Sequence, residues 1–345
     1  MTAFQRKPDT LDHGMRNNMR KPAYLSPSQL GLFESNREEY YLKHLAEVRA
    51  PKIPQANYMS VGSAFDAYVK SALHESLFGK ANDPRFEFTT LFETQVEAHN
   101  RDWALGAGLH AFESYKISGA YDELLALLRQ SKCAPQFEFT IDGTIENVPL
   151  LGKPDLRFIH SGGAHIILDW KVSGFCSKSA TSPCKDYRMV RDGWVGKQSR
   201  GVNLAHKGYI PIEWKGIEIH GGWLENANMD WADQLSIYSW MLGEPVGCEN
   251  VIVCIDQIVA KPNEPYPLLR VANHRSRISS SYQRTVMERL RVCWTAIESN
   301  YIFTDMPKEE SIARCELLDS MALRTNLDSP EQQYINDITR QNKFK

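Results

Sequence analysis

The feature that most constrains this chain is an apolar run that ends in charge, Ile166-Ile167-Leu168 followed by Asp169-Trp170-Lys171. Three consecutive aliphatic residues entered through Gly162-Gly163 read as a strand buried on both faces. Burying a carboxylate or an ammonium at the end of such a strand is costly unless the charge is paired or bound to a cation. Side chains alternate along a strand, so Asp169 and Lys171 share one face and Trp170 takes the other. Upstream, Gly152-Lys153-Pro154-Asp155 brings a second carboxylate to the end of the adjacent strand. Two hard oxygen donors and one ammonium suit Mg²⁺ or Mn²⁺, with Lys171 left to orient or help deprotonate a water. For the tripeptide taken alone, a salt bridge at a strand end is the competing explanation.

The 345 residues allow one large or two medium domains with a sizeable core. Basic residues number 40 and acidic ones 42, so any surface for a polyanion must be local rather than global. Seven cysteines, an odd number without a Cys-x-x-Cys pair, argue against a disulfide framework and a zinc ribbon and fit a reducing cytoplasm. Residues 1–21 lack the apolar core of a signal peptide, and no apolar run approaches the ~18–20 residues of a membrane span. The expectation is a cytoplasmic protein with no membrane partner. The sequence carries no phosphate-binding G-x-x-x-x-G-K-[ST], no G-x-S-x-G and no H-x-x-x-H, which argues against the corresponding ATPase, serine hydrolase and zinc classes.

Residues 1–23, rich in Lys, Arg, Asn and Pro, read as a disordered or arm-like N-terminus. Ser26 as N-cap with Pro27 at the first helical position opens a helical part spanning 24–131. Asp66 lies within it beside Phe65 and Val69, and Tyr121, Leu124, Leu125 and Leu128 form a clear 3.6-residue stripe. At Phe137 the period changes to two. Phe137, Phe139 and Ile141 alternate with Glu138, Thr140 and Asp142, predicting a half-buried strand that turns at Asp142-Gly143. Strands over 148–159 and 165–172 then give a meander carrying Glu138, Asp155 and Asp169.

Residues 173–222 predict a long basic loop in which Lys178, Lys185, Arg188, Lys197 and Arg200 alternate with Tyr187, Trp194, Tyr209 and Trp214. That mix can neutralise phosphates and stack on bases; a solvated loop is the plainer alternative. A helix over 228–242 places Gln234 and Tyr238 one turn apart. A strand over 251–258, an amphipathic helix over about 277–299, and a short cap with a basic tail beyond Pro307 complete the pattern.

Taken in order, Leu25-Ser26-Pro27-Ser28-Gln29-Leu30, Gly62 to Asp66, Gly152-Lys153-Pro154-Asp155, Ile167-Leu168-Asp169-Trp170-Lys171 and Gln234-Leu235-Ser236-Ile237-Tyr238 resemble the RecB-like exonuclease branch of the PD-(D/E)XK nuclease superfamily. The resemblance covers roughly residues 24–260. It implies an α/β restriction-endonuclease-like core of order αβββαβ, with a mixed central sheet flanked by helices, an N-terminal helical elaboration and a C-terminal helix. On that template the nuclease domain spans 24–303: a helical part 24–131, a catalytic core 136–260 with 173–222 as a basic insertion, and a C-terminal helix 274–303. Residues 304–345 form a cap and tail.

By the same resemblance Asp155 and Asp169 bind the metal with help from the Trp170 backbone carbonyl, and Lys171 positions the attacking water. Glu138 supplies a further acidic residue, Asp66 stands where relatives carry a metal-binding histidine, and Gln234 and Tyr238 contact the DNA backbone. An iron–sulfur cluster is not expected, because the early position reads Ser35-Asn36 and the late cysteines are only Cys293 and Cys315. The implied activity is that of a Mg²⁺- or Mn²⁺-dependent DNA exonuclease acting on a duplex end or a single strand in recombination, repair or phage DNA processing. It would work in the cytoplasm, the host's if phage-encoded, beside a recombinase, helicase or single-strand-binding protein. A structure- or sequence-specific endonuclease is the alternative within the enzyme class. A catalytically silent DNA-binding or scaffold protein of the same fold is the alternative outside it.

Overall fold

The structure, a computed structural model, describes residues 19–48, 54–79, 83–176, 187–191, 194–198, 211–262 and 268–325. Its helices are α1 (Pro27–Ser35), α2 (Arg37–Tyr40), α3 (Asn57–Phe78), α4 (Phe88–Gln95), α5 (Arg101–Ile117), α6 (Ala120–Arg129), α7 (Met229–Met241), α8 (Ser280–Glu298) and α9 (Lys308–Thr325). Its strands are β1 (Gln136–Phe137), β2 (Ile141–Ile145), β3 (Val148–Gly152), β4 (Leu156–Ile159), β5 (His165–Ser173), β6 (Tyr187–Arg191), β7 (Trp194–Gln198), β8 (Pro211–Trp214), β9 (Ile217–His220), β10 (Val251–Lys261) and β11 (Leu268–Ser276).

Helix starts follow their capping chemistry. Ser26 Oγ accepts from the Gln29 N–H at 3.3 Å while Gln29 Oε1 accepts from the Ser26 N–H at 3.3 Å, a reciprocal capping box. Asn228 Oδ1 accepts from the Trp231 N–H at 3.0 Å and so opens α7.

The central sheet has the order β1-β4-β5-β10-β11-β6-β7. β5 and β10 run parallel through nine paired positions while the other neighbours are antiparallel, so the sheet is mixed. As the apolar run predicted, β5 is buried on both faces. Ile166, Leu168 and Trp170 pack with Phe65, Val69 and Tyr115 on the side of α3 and α5. Ile167 packs with Leu235, Tyr238 and Ile255 on the side of α7. This is the restriction-endonuclease-like α/β core with helices on both faces of the sheet.

Several sequence expectations change. The strand expected through Phe137, Phe139 and Ile141 breaks after Phe137, and Glu138 adopts φ 39°, which turns the chain out of the sheet. Asp142-Gly143 lies inside β2, which pairs with β3. The turn falls instead at Glu146-Asn147, both at positive φ, as a two-residue hairpin loop requires. The meander is therefore β1-β4-β5 with the β2–β3 hairpin outside it. Residues 173–222 contain the hairpins β6–β7 and β8–β9 rather than one loop. β11 and the 18-residue α9 were not expected.

The chain divides into two compact units. The larger, Tyr24–Gly31 with Lys52–Arg291, contains the sheet. The smaller comprises Met1–Ala23, Leu32–Pro51 and Val292–Lys345. Within it Tyr41 Oη donates to Asp319 Oδ2 at 2.8 Å, Arg37 pairs with Asp305 at 2.8 Å, and Arg314 pairs with Glu38. Among the described residues no helix is long and apolar enough to cross a membrane.

Candidate active site

The site begins where β4 is too short for its neighbour. β4 pairs with β5 from Ile159↔His165 to Leu156↔Leu168, after which Lys153-Pro154-Asp155 leads away and β5 runs on alone on that side. Pro154 has no N–H to continue a ladder. The Trp170 N–H, left without a β4 partner, donates to Asp155 Oδ2 at 3.1 Å. Because the N–H and C=O of a strand residue point to the same side, the Trp170 carbonyl faces the same gap.

Asp169 and Lys171 emerge together on the α7 face, as alternation required. Lys171 Nζ lies 2.5 Å from Asp169 Oδ2 and donates to Gln234 Oε1 at 2.9 Å. The Gln234 amide nitrogen donates to Asp169 Oδ1 at 2.9 Å and to Tyr238 Oη at 3.1 Å. Gln234 thus sets the rotamers of both β5 side chains, and Tyr238, itself buried, steadies Gln234.

A second set approaches from the α3 side. Lys70 Nζ lies 2.6 Å from Asp66 Oδ2, 3.0 Å from Asp155 Oδ1 and 3.4 Å from Glu138 Oε2. Gln95 Nε2 donates at 2.8 Å to both Asp66 Oδ2 and Glu138 Oε2. The turn at Glu138 is pinned by its N–H donating to the Asp155 carbonyl at 3.0 Å. The structure thereby brings together Asp66, Glu138, Asp155, Asp169, Lys171, Gln234 and Tyr238.

Sequence reasoning missed Lys70 and Gln95. Lys70 left one signal, its place four residues after Asp66 on a helix stripe shared with apolar Val69 and Leu73. Gln95 left none. Arg188 and Lys197 stand opposite each other in the β6–β7 register, while Lys178, Lys185 and Arg200 lie outside the described residues.

The electrostatics are those of a site short of positive charge. Four carboxylates face two buried or half-buried ammonium groups, since Lys153 is 61% exposed and reaches Glu138 only at 3.8 Å. Burial first, and then the neighbouring Asp155 charge, push Asp169 up to about 7. Burial and the Asp155 charge likewise push Asp66 up to about 7. Burial acts on Asp155 in the same direction, but the Lys70 ammonium and the Trp170 N–H outweigh it and hold Asp155 below the usual carboxylate range. Burial and the Asp169 charge push Tyr238 up to about 12.

With all four carboxylates ionised, the negative surplus equals the charge of one divalent ion. Asp155, Asp169 and the Trp170 carbonyl are hard oxygen donors facing one gap, so the residues present fit Mg²⁺ or Mn²⁺. A cavity of about 820 Å³ is lined by Gln95 and Glu138 together with His74, Phe86, Phe137 and Phe139. The His74 and Phe86 rings stack there with centroids 4.4 Å apart.

Residues 24–188 match the family described as the PD-(D/E)XK nuclease superfamily. Over those residues the chain is similar to that superfamily. Two solved structures are similar at low identity. A candidate exonuclease from Eubacterium rectale is 14% identical, with 87% of this chain and 88% of that one covered and a TM-score of 0.35. The protein SSO0001 is 12% identical, with 77% of this chain and 85% of that one covered and a TM-score of 0.24. No curated protein matches the chain. PD-(D/E)XK nucleases hydrolyse phosphodiester bonds and generally use Mg²⁺ or Mn²⁺.

Proposed function

We propose that this nuclease is a divalent-metal-dependent DNA exonuclease of the RecB-like branch, serving recombination, repair or phage DNA processing. The observation that carries the reading is the convergence of Asp155, Asp169 and the Trp170 carbonyl at the open end of β5, with Lys171 held beside them by Gln234. We assign the metal to those three groups. When bound, it supplies Lewis-acid polarisation of a phosphoryl oxygen and lowers the pKa of a water.

The chain's own side chains do the rest. Lys171 lies within ion-pair distance of Asp169, so its ammonium can orient a water there and stabilise charge that develops on the phosphate. Gln234 keeps that ammonium and the Asp169 carboxylate in register, because misplacement by about 1 Å can cost on the order of 10²-fold in rate. Asp66 is engaged by Lys70 and Gln95, and we assign it to holding them rather than the metal.

The cavity favours an exonuclease over an endonuclease. Its aromatic walls meet the acid cluster at Glu138 and Gln95 and offer surfaces on which the bases of a single-stranded end could stack. The test uses linear and covalently closed circular DNA with Mg²⁺ or Mn²⁺. The expected outcome is digestion of the linear form alone, abolished in Asp169→Ala and Lys171→Ala with folding intact. Cutting of the closed circle would make the enzyme an endonuclease; full activity in either variant would sink the site assignment.

A further inference from the structure

The acid cluster carries a cation of its own. Lys70 reaches across from α3 with a side chain only 2% exposed, and its Nζ contacts Asp66, Asp155 and Glu138 at 2.6, 3.0 and 3.4 Å. A desolvated ammonium persists only with such partners. Gln95 bridges Asp66 and Glu138, so two of the three carboxylates are fixed by a neutral donor as well as by the charge. Three hard oxygens thus surround a tethered positive charge much as they would surround an ion.

Asp155 joins the two halves of the site. Its Oδ1 faces Lys70 and its Oδ2 accepts from the Trp170 N–H beside Asp169. Asp169 belongs to the other half, held by Gln234 and Lys171. In a two-metal nuclease both halves would hold a divalent ion, one for the attacking oxygen and one for the leaving oxygen. Here the α3 half is filled from within by the Lys70 ammonium.

We propose that Lys70 takes the place of a second metal ion, so that the centre loads one divalent cation only. The inference rests on the metal-dependent reading above. Lys70 is a positioning residue on this view: it orients Asp155 towards the metal and closes the Asp66–Glu138 side to a second ion. Replacing it by an uncharged side chain of similar length should open that side.

The experiment counts Mn²⁺ ions by calorimetric titration of the full chain, wild type against Lys70→Met and Lys70→Arg, with circular dichroism as the check on folding. The expected result is one Mn²⁺ per wild-type chain, two for Lys70→Met and one for Lys70→Arg. Two ions in the wild type, or one in a folded Lys70→Met protein, would overturn the proposal while leaving the nuclease reading intact. No Mn²⁺ in the wild type would overturn both. If Lys70→Met folds only when purified with Mn²⁺, the wild-type count still decides, and the ions retained by the purified variant are counted by elemental analysis, with two expected and one counting against.

Discussion

Lys70 and Lys171 are the same side chain put to different uses, and what separates them is exposure. Lys70 is sealed among carboxylates and cannot leave without stranding them, whereas Lys171, about one third exposed, lies at the edge of the site where substrate can reach it. The carboxylates divide in the same way. Asp155 is held below the usual range by Lys70 and the Trp170 N–H, while burial holds Asp66 and Asp169 up to about 7. A raised carboxyl favours the metal-free fold while protonated; that contribution is fully present below the unfolded value near 4 and is lost as pH rises through about 7. Asp155 has the opposite sign, contributing above its unfolded value and failing as acid titrates it. On the metal assignment proposed above Asp169 must be ionised, so Mn²⁺ affinity should rise steeply from pH 6 to about 7 and flatten by pH 8, with proton release at the lower pH. Calorimetry in two buffers of different ionisation enthalpy measures both. Equal affinity at pH 6 and pH 8 without proton release would contradict the raised Asp169.

At the scale of elements, the site depends on one close approach. A Cβ at Gly152, the last residue of β3, would lie 2.7 Å from Tyr238 Cε1 and 2.9 Å from Cδ1 on α7. Tyr238 steadies Gln234, and Gln234 sets Asp169 and Lys171. Gly152→Ala should therefore move the Tyr238 ring and slow the chemical step by about 10–10²-fold, with Mn²⁺ affinity close to wild type. Single-turnover cleavage and calorimetry separate the two; unchanged cleavage would remove Tyr238 and Gln234 from the positioning of Lys171.

What the sequence made legible follows the same physics. Local rules found α1 by its Ser26 cap, α7 by its period and β5 by an apolar run too short for a helix and too charged at its end to be idle. They could not find β11, which carries Arg270, Asn273, His274 and Arg275 and becomes a strand where β10 pairs with it residue by residue. Lys70 they marked only by its place four residues after Asp66, a spacing that on most helices is a solvent-facing pair. Its partners Glu138 and Asp155 lie 68 and 85 residues away and are delivered only by the tertiary fold.

At the scale of the molecule, the site is a property of the folded state alone. Its groups come from α3, α4, the turn after β1, the approach to β4, the free end of β5, and α7, and no two of these elements need be near each other in an unfolded chain. All belong to the larger compact unit, whose central β5–β10 pairing is buried on both faces. A cation that binds this arrangement and not the unfolded chain adds stability by mass action, about 2.7 kcal/mol when free metal is 100-fold above its Kd. For a unit of this size that corresponds to a rise of roughly 5–10 °C in the midpoint of thermal unfolding. Mn²⁺ should produce that rise in the wild type and chelation should reverse it. Asp169→Asn removes one anionic donor and should lose most of the shift while keeping β5 in place, since its amide can still accept from Gln234. Thermal unfolding followed by circular dichroism, with Mn²⁺ or with chelator, gives the comparison directly. An equal Mn²⁺ shift in the wild type and Asp169→Asn would mean that the ion binds elsewhere, and no shift in either at saturating Mn²⁺ would mean that the fold does not bind it.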